Sequence, residues 1–335
     1  MDHNQTSSLP YQAGQRLMVG FDGTDLNDEL KYYIDTLLVG GVILFSRNLV
    51  APDQVRRLCM LIQEHARLNG QPPLFIGIDQ EGGQVARLKP PFTQFDGVPA
   101  MTHPDDARAF AEITARELLD VGINMNMAPV LDVLPAEGPS VMQQRAFGND
   151  PHWVGRMGRT MIEYMQGNGL MAVAKHFPGI GRTVLDSHHD LPDLDTPVRD
   201  LKDRDLVPFQ TAVQAGVDGI MMSHIRYRQL DERWPASLSP SIASDLLRGE
   251  LGFDGLVLSD DLDMGAVAKH YRIPEIIHQS LSADVDLLLI CHPGPKIQAA
   301  REEIVNRYRS SPVMRHKGEA SLERIQRFKA SYLKS

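Results

Sequence analysis

Residues 175–192 read KHFPGIGRTVLDSHHDLP, and they gather an ammonium, a guanidinium, three imidazoles and two carboxylates among prolines and glycines. Asp186 and His188 stand two apart, so in an extended or turn conformation they share one side of the chain and can pair. A carboxylate that accepts from one imidazole nitrogen fixes the tautomer and raises basicity at the other. On spacing alone, a solvated polar loop accounts for them equally well. Asp260 is harder to dismiss. It follows the apolar run GLVL with one serine between, and an unpaired carboxylate at the mouth of a hydrophobic element is costly. Sites that keep such a group usually use it. A lone carboxylate, a His–Asp dyad and nearby cations suit displacement at a carbon bearing an oxygen leaving group. Asp260 would attack, and His188 would protonate the departing oxygen and then deprotonate water.

These residues need elements to hold them. Eight short apolar runs recur along the chain: 16–21, 41–45, 74–79, 123–129, 170–176, 218–224, 255–260 and 286–292. Most are continuously hydrophobic rather than alternating, as in strands covered on both faces of a parallel sheet. Between them lie stretches with i, i+3, i+4 apolar spacing, such as 105–120 and 198–215. Alternating strands and helices imply right-handed crossovers, and a count of eight predicts a single-domain α/β (β/α)8 TIM barrel over 1–335. The proline-rich stretches 89–99 and 192–197 read as long loops, and the helical segment 294–333 as a terminal pair packed on the barrel. Active sites of such barrels lie at the C-terminal strand ends, which here carry Asp79, Asp132, Lys175, His176, His224, Asp260, Asp261 and His292.

Composition excludes several classes. With 34 basic against 43 acidic residues the net charge is −9, which argues against nucleic acid or an anionic membrane as partner. The two cysteines, Cys59 and Cys291, follow no metal or redox spacing and read as reduced thiols. The N-terminal stretch MDHNQTSSLPYQAGQ has neither a basic n-region nor an apolar h-region, and no window approaches eighteen uninterrupted apolar residues. A cytoplasmic protein without a membrane span is expected. Single residues also have plainer readings. Asp79 in IDQEGGQVARL is compatible with capping a turn, Arg145 with a surface loop, and His224 and His292 with hydrogen-bonded histidines at the core edge. The Gly82–Gly83 pair lacks the GxGxxG pattern of a dinucleotide site.

Four stretches together, GGVILFSRN, FIGIDQEGGQVARL, KHFPGIGRTVLDSHHDLP and LRGELGFDGLVLSDDLDMGA, closely resemble the bacterial β-N-acetylhexosaminidases of glycoside hydrolase family 3, over about residues 15–300. The resemblance implies a TIM barrel that needs no metal or other cofactor and retains anomeric configuration through a glycosyl-enzyme intermediate. For the short cytoplasmic members it implies removal of N-acetylglucosamine from 1,6-anhydro-muropeptides during peptidoglycan recycling. Carried over position by position, it makes Asp260 the nucleophile, His188 the acid/base and Asp186 its dyad partner. Asp79, Arg87, Arg145, Lys175 and His176 match the groups that bind the terminal sugar. A monomer acting on a small-molecule or oligosaccharide substrate follows.

Two positions depart from the family pattern. Ile180 stands where the family usually has a histidine, and Gln144 where an aspartate precedes Arg145. A phosphorylase or β-glucosidase on the same scaffold stays open, because a histidine acid/base leaves room for a phosphate acceptor. A metal-dependent hydrolase is suggested by His176, His188, His224, His292 and the aspartates, but no H-x-H pair follows strand one and no H-E-x-x-H occurs. A non-catalytic sugar-binding barrel would have no need of Asp186, His188 and Asp260 together.

Overall fold

The computed structural model describes residues 8–333; residues 1–7, part of the stretch read above for a leader, and 334–335 lie outside the described residues. The eight apolar runs form eight parallel strands: β1 (Leu17–Val19), β2 (Gly41–Leu44), β3 (Phe75–Ile78), β4 (Met125–Asn126), β5 (Met171–Phe177), β6 (Gly219–Met222), β7 (Leu256–Asp261) and β8 (Leu287–Ile290). Each pairs with its sequence neighbours, and β8 returns to β1, so the sheet closes into a barrel. The predicted (β/α)8 architecture is what the chain adopts.

Continuous hydrophobicity hides a strict alternation. Met18, Ile43, Phe75, Met125, Met171, Val173, Met221, Leu256, Leu258, Leu287 and Leu289 fill the interior, while Leu17, Val19, Val42, Leu44, Ile76, Ile78, Val257, Leu288 and Ile290 pack outward under the helices. Both faces are dry, so both sets are apolar. Gly77 gives room to this packing, since a Cβ there would lie 2.6 Å from the Met18 methyl carbon. Fully burying one such side chain is worth about 1.5–3 kcal/mol, which makes the barrel wall the main source of stability.

Helices begin where prolines sit. Pro52, Pro104, Pro151, Pro295 and Pro312 each occupy a first helical position, where the missing N–H costs nothing. Asp150 caps one of them by accepting the His152 N–H at 2.9 Å. The stretch 105–120 is helical as Pro104–Asp120. The stretch 198–215 is not one regular helix: Val198–Asp200 passes through a wide π-type turn into Val207–Gln214. Pro208 explains the break, because its ring cannot sit against the carbonyl four residues back in an unbroken α-helix. The 192–197 loop contains a two-residue strand, Asp193–Leu194, paired with Arg226–Tyr227 and pinned by Arg228 to the Asp193 carboxylate at 2.8 Å.

The terminal segment forms the expected pair, Pro295–Ser310 and Pro312–Tyr332. The second helix closes the bottom of the barrel. Ile325 joins the interior cluster, and the buried Lys329 ammonium donates to Gln15 Oε1 at 2.8 Å and lies 5.3 Å from the Phe75 ring centre. Among the described residues no helix is long and apolar enough to cross a membrane.

Candidate active site

At the C-terminal strand ends, away from the helix that packs Ile325 into the interior, the barrel changes from apolar to charged. A cavity of about 160 Å³ is lined by Asp79, Glu81, Arg87, Arg145, Lys175, His176, His188, Asp260 and Asp261, with Phe45, Met221 and Met264 as apolar wall.

One wall is a compensated charge cluster. Lys175 Nζ reaches Asp79 Oδ1 at 2.7 Å and Glu81 Oε1 at 2.6 Å, with the Lys175 and Glu81 side chains each 2% exposed. Arg145 forks onto Glu81, Nη2 to Oε1 at 2.7 Å and Nε to Oε2 at 2.9 Å. Arg87 reaches Asp79 more loosely, at 3.4 Å, and its buried Nε has no partner among the described residues. Burial pushes the Asp79 and Glu81 carboxyls up, but Lys175 with Arg87 at the first and with Arg145 at the second outweigh it, and both end below the usual carboxylate range. Burial likewise opposes the charge on Lys175, and the two carboxylates more than restore it. The cluster is therefore ionised, and all five of its residues line the cavity.

Local structure explains the placement. After β3 the chain makes a tight hairpin, Gln80–Gly82 against Val85–Ala86. Its turn needs Gly82 (φ +88°) and Gly83 (φ +61°), a backbone region that disfavours side chains. The glycine pair thus serves a turn that folds Arg87 back over Asp79, with Gln80 Oε1 accepting the Arg87 and Leu88 N–H groups at 2.9 and 3.1 Å. On β5 the register shifts between Lys175 and Phe177, and consecutive Lys175 and His176 both line the cavity. His176 Nδ1 is held by buried Asp132 Oδ2 at 2.8 Å, leaving the other ring nitrogen for the cavity.

The opposite wall carries the candidate reactive groups. Asp260 sits on β7, its Oδ1 accepting the Asp261 N–H at 2.8 Å. Asp261 is different: its Oδ1 takes the N–H groups of Asp263 and Cys291, both at 3.0 Å. Burial, with further push from Asp263 and Asp260, carries its carboxyl up to about 6 despite those hydrogen bonds. His188 and Asp186 pair at 2.7 Å between Nδ1 and Oδ1, and the same Oδ1 accepts the His188 N–H at 2.9 Å. Burial raises the Asp186 carboxyl, but these two bonds outweigh it and hold it low. His188 lines both the main cavity and an adjoining cleft, which also contains Asp186, Asp260, Ile180 and Met142.

Of the other strand-end residues, His224 is a core-edge histidine. It is buried between Ser237 Oγ (2.7 Å) and the Asp261 carbonyl (2.9 Å), and burial pulls its pKa below the usual histidine value. His292 is exposed beside Asp261 and Asp263. Among the described residues these three form one group spaced for a cation. Lys296 already bridges Asp263, and backbone N–H groups occupy Asp261, so the group reads as loop structure. Cys59 and Cys291 are both buried free thiols.

Comparison with known proteins gives this geometry a family. Residues 9–328 match the family described as glycosyl hydrolase family 3 N terminal domain. The chain belongs to glycosyl hydrolase family 3. It is 39% identical over 287 residues to a beta-hexosaminidase of Thiobacillus denitrificans, covering 83% of this chain and 78% of that one. Among solved structures it superposes on a family 3 beta-N-acetylglucosaminidase of Paenibacillus at TM-score 0.94 and 36% identity. That match covers 97% of this chain and 62% of the larger Paenibacillus protein, so this chain spans under two thirds of its length. A beta-N-acetylhexosaminidase of Beutenbergia cavernae aligns at TM-score 0.88 and 28% identity, over 96% of this chain and 98% of that one.

As a family 3 glycoside hydrolase the chain brings all eight residues expected from its motifs to this one region. Sequence reasoning passed over Glu81, although it lies two residues after Asp79, the spacing that singled out Asp186 and His188. The two departures acquire a structural setting. Gln144 is exposed, and Glu81 supplies the carboxylate that holds Arg145. Ile180 is buried, its N–H donating to Asp132 Oδ1 at 2.7 Å, so the loop is anchored through backbone whatever the side chain.

Proposed function

We propose that this chain is an exo-acting β-N-acetylglucosaminidase that retains anomeric configuration. The observation that carries the reading is that Asp260 and His188 share one small cavity whose far wall is a buried lattice of Asp79, Glu81, Arg87, Arg145 and Lys175. A small cavity bounded on one side by a buried charge cluster suits the terminal sugar of a chain. Carboxylates and planar guanidinium groups match sugar hydroxyls, and sites built this way reject analogues lacking the partner group. The relatives named above support the N-acetylated sugar. The 1,6-anhydro-muropeptide leaving portion, peptidoglycan recycling and a cytoplasmic setting rest on the likeness to the short bacterial members. A monomer is consistent with the complete set of site residues on one chain.

The reaction follows from the placement. Asp260 carboxylate attacks the anomeric carbon as the bond to the leaving oxygen breaks, and protonated His188 gives that oxygen its proton. Asp186 holds the imidazolium through Nδ1, so the proton delivered is the one on Nε2. In the second half His188 removes a proton from water, water attacks the same carbon, and Asp260 leaves. Two inversions give retention. Asp260 rather than Asp261 suits the nucleophile, because two backbone N–H groups tie Asp261 and burial favours its protonated form.

The test is release of nitrophenol from the β-N-acetylglucosaminide against the β-glucoside, each with and without phosphate. Strong preference for the first, independent of phosphate, supports the reading. Equal rates on both sugars would overturn the specificity, and phosphate-dependent turnover would make the enzyme a phosphorylase.

A further inference from the structure

The Asp186–His188 pair is exposed, at 48% and 65% for the two side chains, yet an acid must be held accurately over the bond it protonates. Gly179 and Gly181 at its root do not supply that hold. A Cβ at Gly181 would lie 1.9 Å from the Val133 carbonyl oxygen, and one at Gly179 would lie 3.2 Å from Asp205 Cβ, so both are close-packed at the root of the loop. The tip is fixed from elsewhere. The Gly265 N–H donates to the His188 carbonyl at 3.1 Å and the Ala266 N–H to the Ser187 carbonyl at 3.0 Å. Lys269 Nζ donates to the His189 carbonyl at 2.7 Å, and His270 Nε2 pairs with Asp190 Oδ1 at 2.5 Å.

All four contacts come from the segment that follows the nucleophile strand. Gly265 is five residues beyond Asp260, joined to it by a turn in which the Met264 N–H donates to the Asp261 carbonyl at 3.0 Å. A Cβ on Gly265 would stand 2.5 Å from the His189 oxygen and 2.8 Å from the His188 oxygen, both backbone atoms that cannot swing aside. Gly265 opens the short helix Gly265–Ala268, where alanine would be the better helix former by about 1 kcal/mol. Its backbone is not in the left-handed region. Close approach of the loop, not helix formation or turn geometry, is therefore what glycine provides.

We propose that Gly265, with Lys269 and His270, is a positioning element that docks the acid/base loop onto the strand bearing the nucleophile, so that one chain segment sets the separation of His188 from Asp260. The inference rests on the assignment of His188 as the general acid. It makes these three residues determinants of leaving-group protonation without any contact to the sugar.

The experiment compares wild type, Gly265→Ala, Lys269→Met/His270→Ala, His188→Ala and Gly265→Ala/His188→Ala on aryl β-N-acetylglucosaminides of graded leaving-group pKa. Thermal unfolding is recorded alongside. General acids contribute about 10²–10⁴-fold, so His188→Ala should lose that much with poor leaving groups and little with dinitrophenyl. Gly265→Ala should show the same trend at roughly 10–100-fold, with KM for the dinitrophenyl substrate unchanged, and should add nothing on top of His188→Ala. If Gly265→Ala does not fold, Lys269→Met/His270→Ala reads the same trend at a smaller size. Equal losses across leaving groups, or wild-type kinetics, in a folded variant would overturn the positioning role while His188→Ala still showed its trend. A flat profile for His188→Ala itself would overturn the acid assignment, and the positioning role with it.

Discussion

Lys175→Met tests the charge lattice most directly. The substitution keeps the stem's bulk and deletes the ammonium that lies 2.7 Å from Asp79 and 2.6 Å from Glu81. Glu81 would keep its two bonds from Arg145, but Asp79 would retain only the long 3.4 Å contact to Arg87. Removing one partner of a buried ion pair costs about 3–5 kcal/mol, and the surviving Arg145 fork reduces this to about 2–4 kcal/mol. Unfolding entropy near 2.1 cal/mol/K per residue converts that, over 335 residues, into a fall in Tm of about 3–6 °C at neutral pH. The pH dependence carries the stricter check. In the wild type both carboxyls lie below their unfolded values, so their stabilisation is present above about pH 4 and is lost only as pH falls through the folded values. In the variant, burial acts on Asp79 without the ammonium and raises it, so the variant loses stability as pH climbs through the unfolded value. The gap in Tm between the two proteins should therefore be wider near pH 7 than near pH 4. Differential scanning fluorimetry at the two pH values measures it. A gap of the same size at both, or no gap, would refute internal compensation as the force holding this wall.

Three further outcomes follow from the same geometry. Asp260→Ala should lower turnover by several orders of magnitude with the fold intact, and a fluorinated N-acetylglucosamine inactivator should add one sugar mass to the peptide at Asp260; labelling at Asp261 would reverse the choice between them. Arg145→Ala should mainly raise KM with a smaller loss of kcat, because Lys175 still holds Glu81 at 2.6 Å; unchanged kinetics would remove Arg145 from substrate binding. Lys329→Met should stabilise the protein by roughly 1–3 kcal/mol at pH 6, since burial alone drives that lysine down to about 7 and its protonation opposes folding. The gain should shrink as pH rises from about 7 towards the unfolded value near 10.4, and urea unfolding at pH 6 and 9.5 would expose a pH-independent difference if the assignment is wrong.

The barrel was legible because its strands are apolar on both faces. Phe75–Ile78 and Leu287–Ile290 announce themselves as runs without any knowledge of which residue points inward. What the runs conceal is that same alternation, and with it the fact that Met18, Met125, Met171 and Met221 form the interior. Helix interiors were harder where chemistry is local but its effect is not: Pro208 sits in a favourable apolar spacing and still splits 198–215. The bottom closure by Ile325 and Lys329 joins residues more than 300 positions from Gln15 and could not be read from spacing at all.

The site divides along the same line. Asp186 with His188, and Asp260 at the end of its run, carry their signal within a few residues, because the pairing or the misplaced charge is local. Glu81 and Gly265 carry theirs only through partners far along the chain. Glu81 acquires its role from Arg145, 64 positions away, and from Lys175; as a sequence letter it is one more acid after a strand. Gly265 is a glycine in DMGA until the loop at 187–190 is laid across it, and then its missing side chain becomes the reason that the loop can approach. Residues with reactive side chains are recognisable by their own chemistry. Those that hold them in place are defined by what they touch, and that information exists only after the chain has closed on itself.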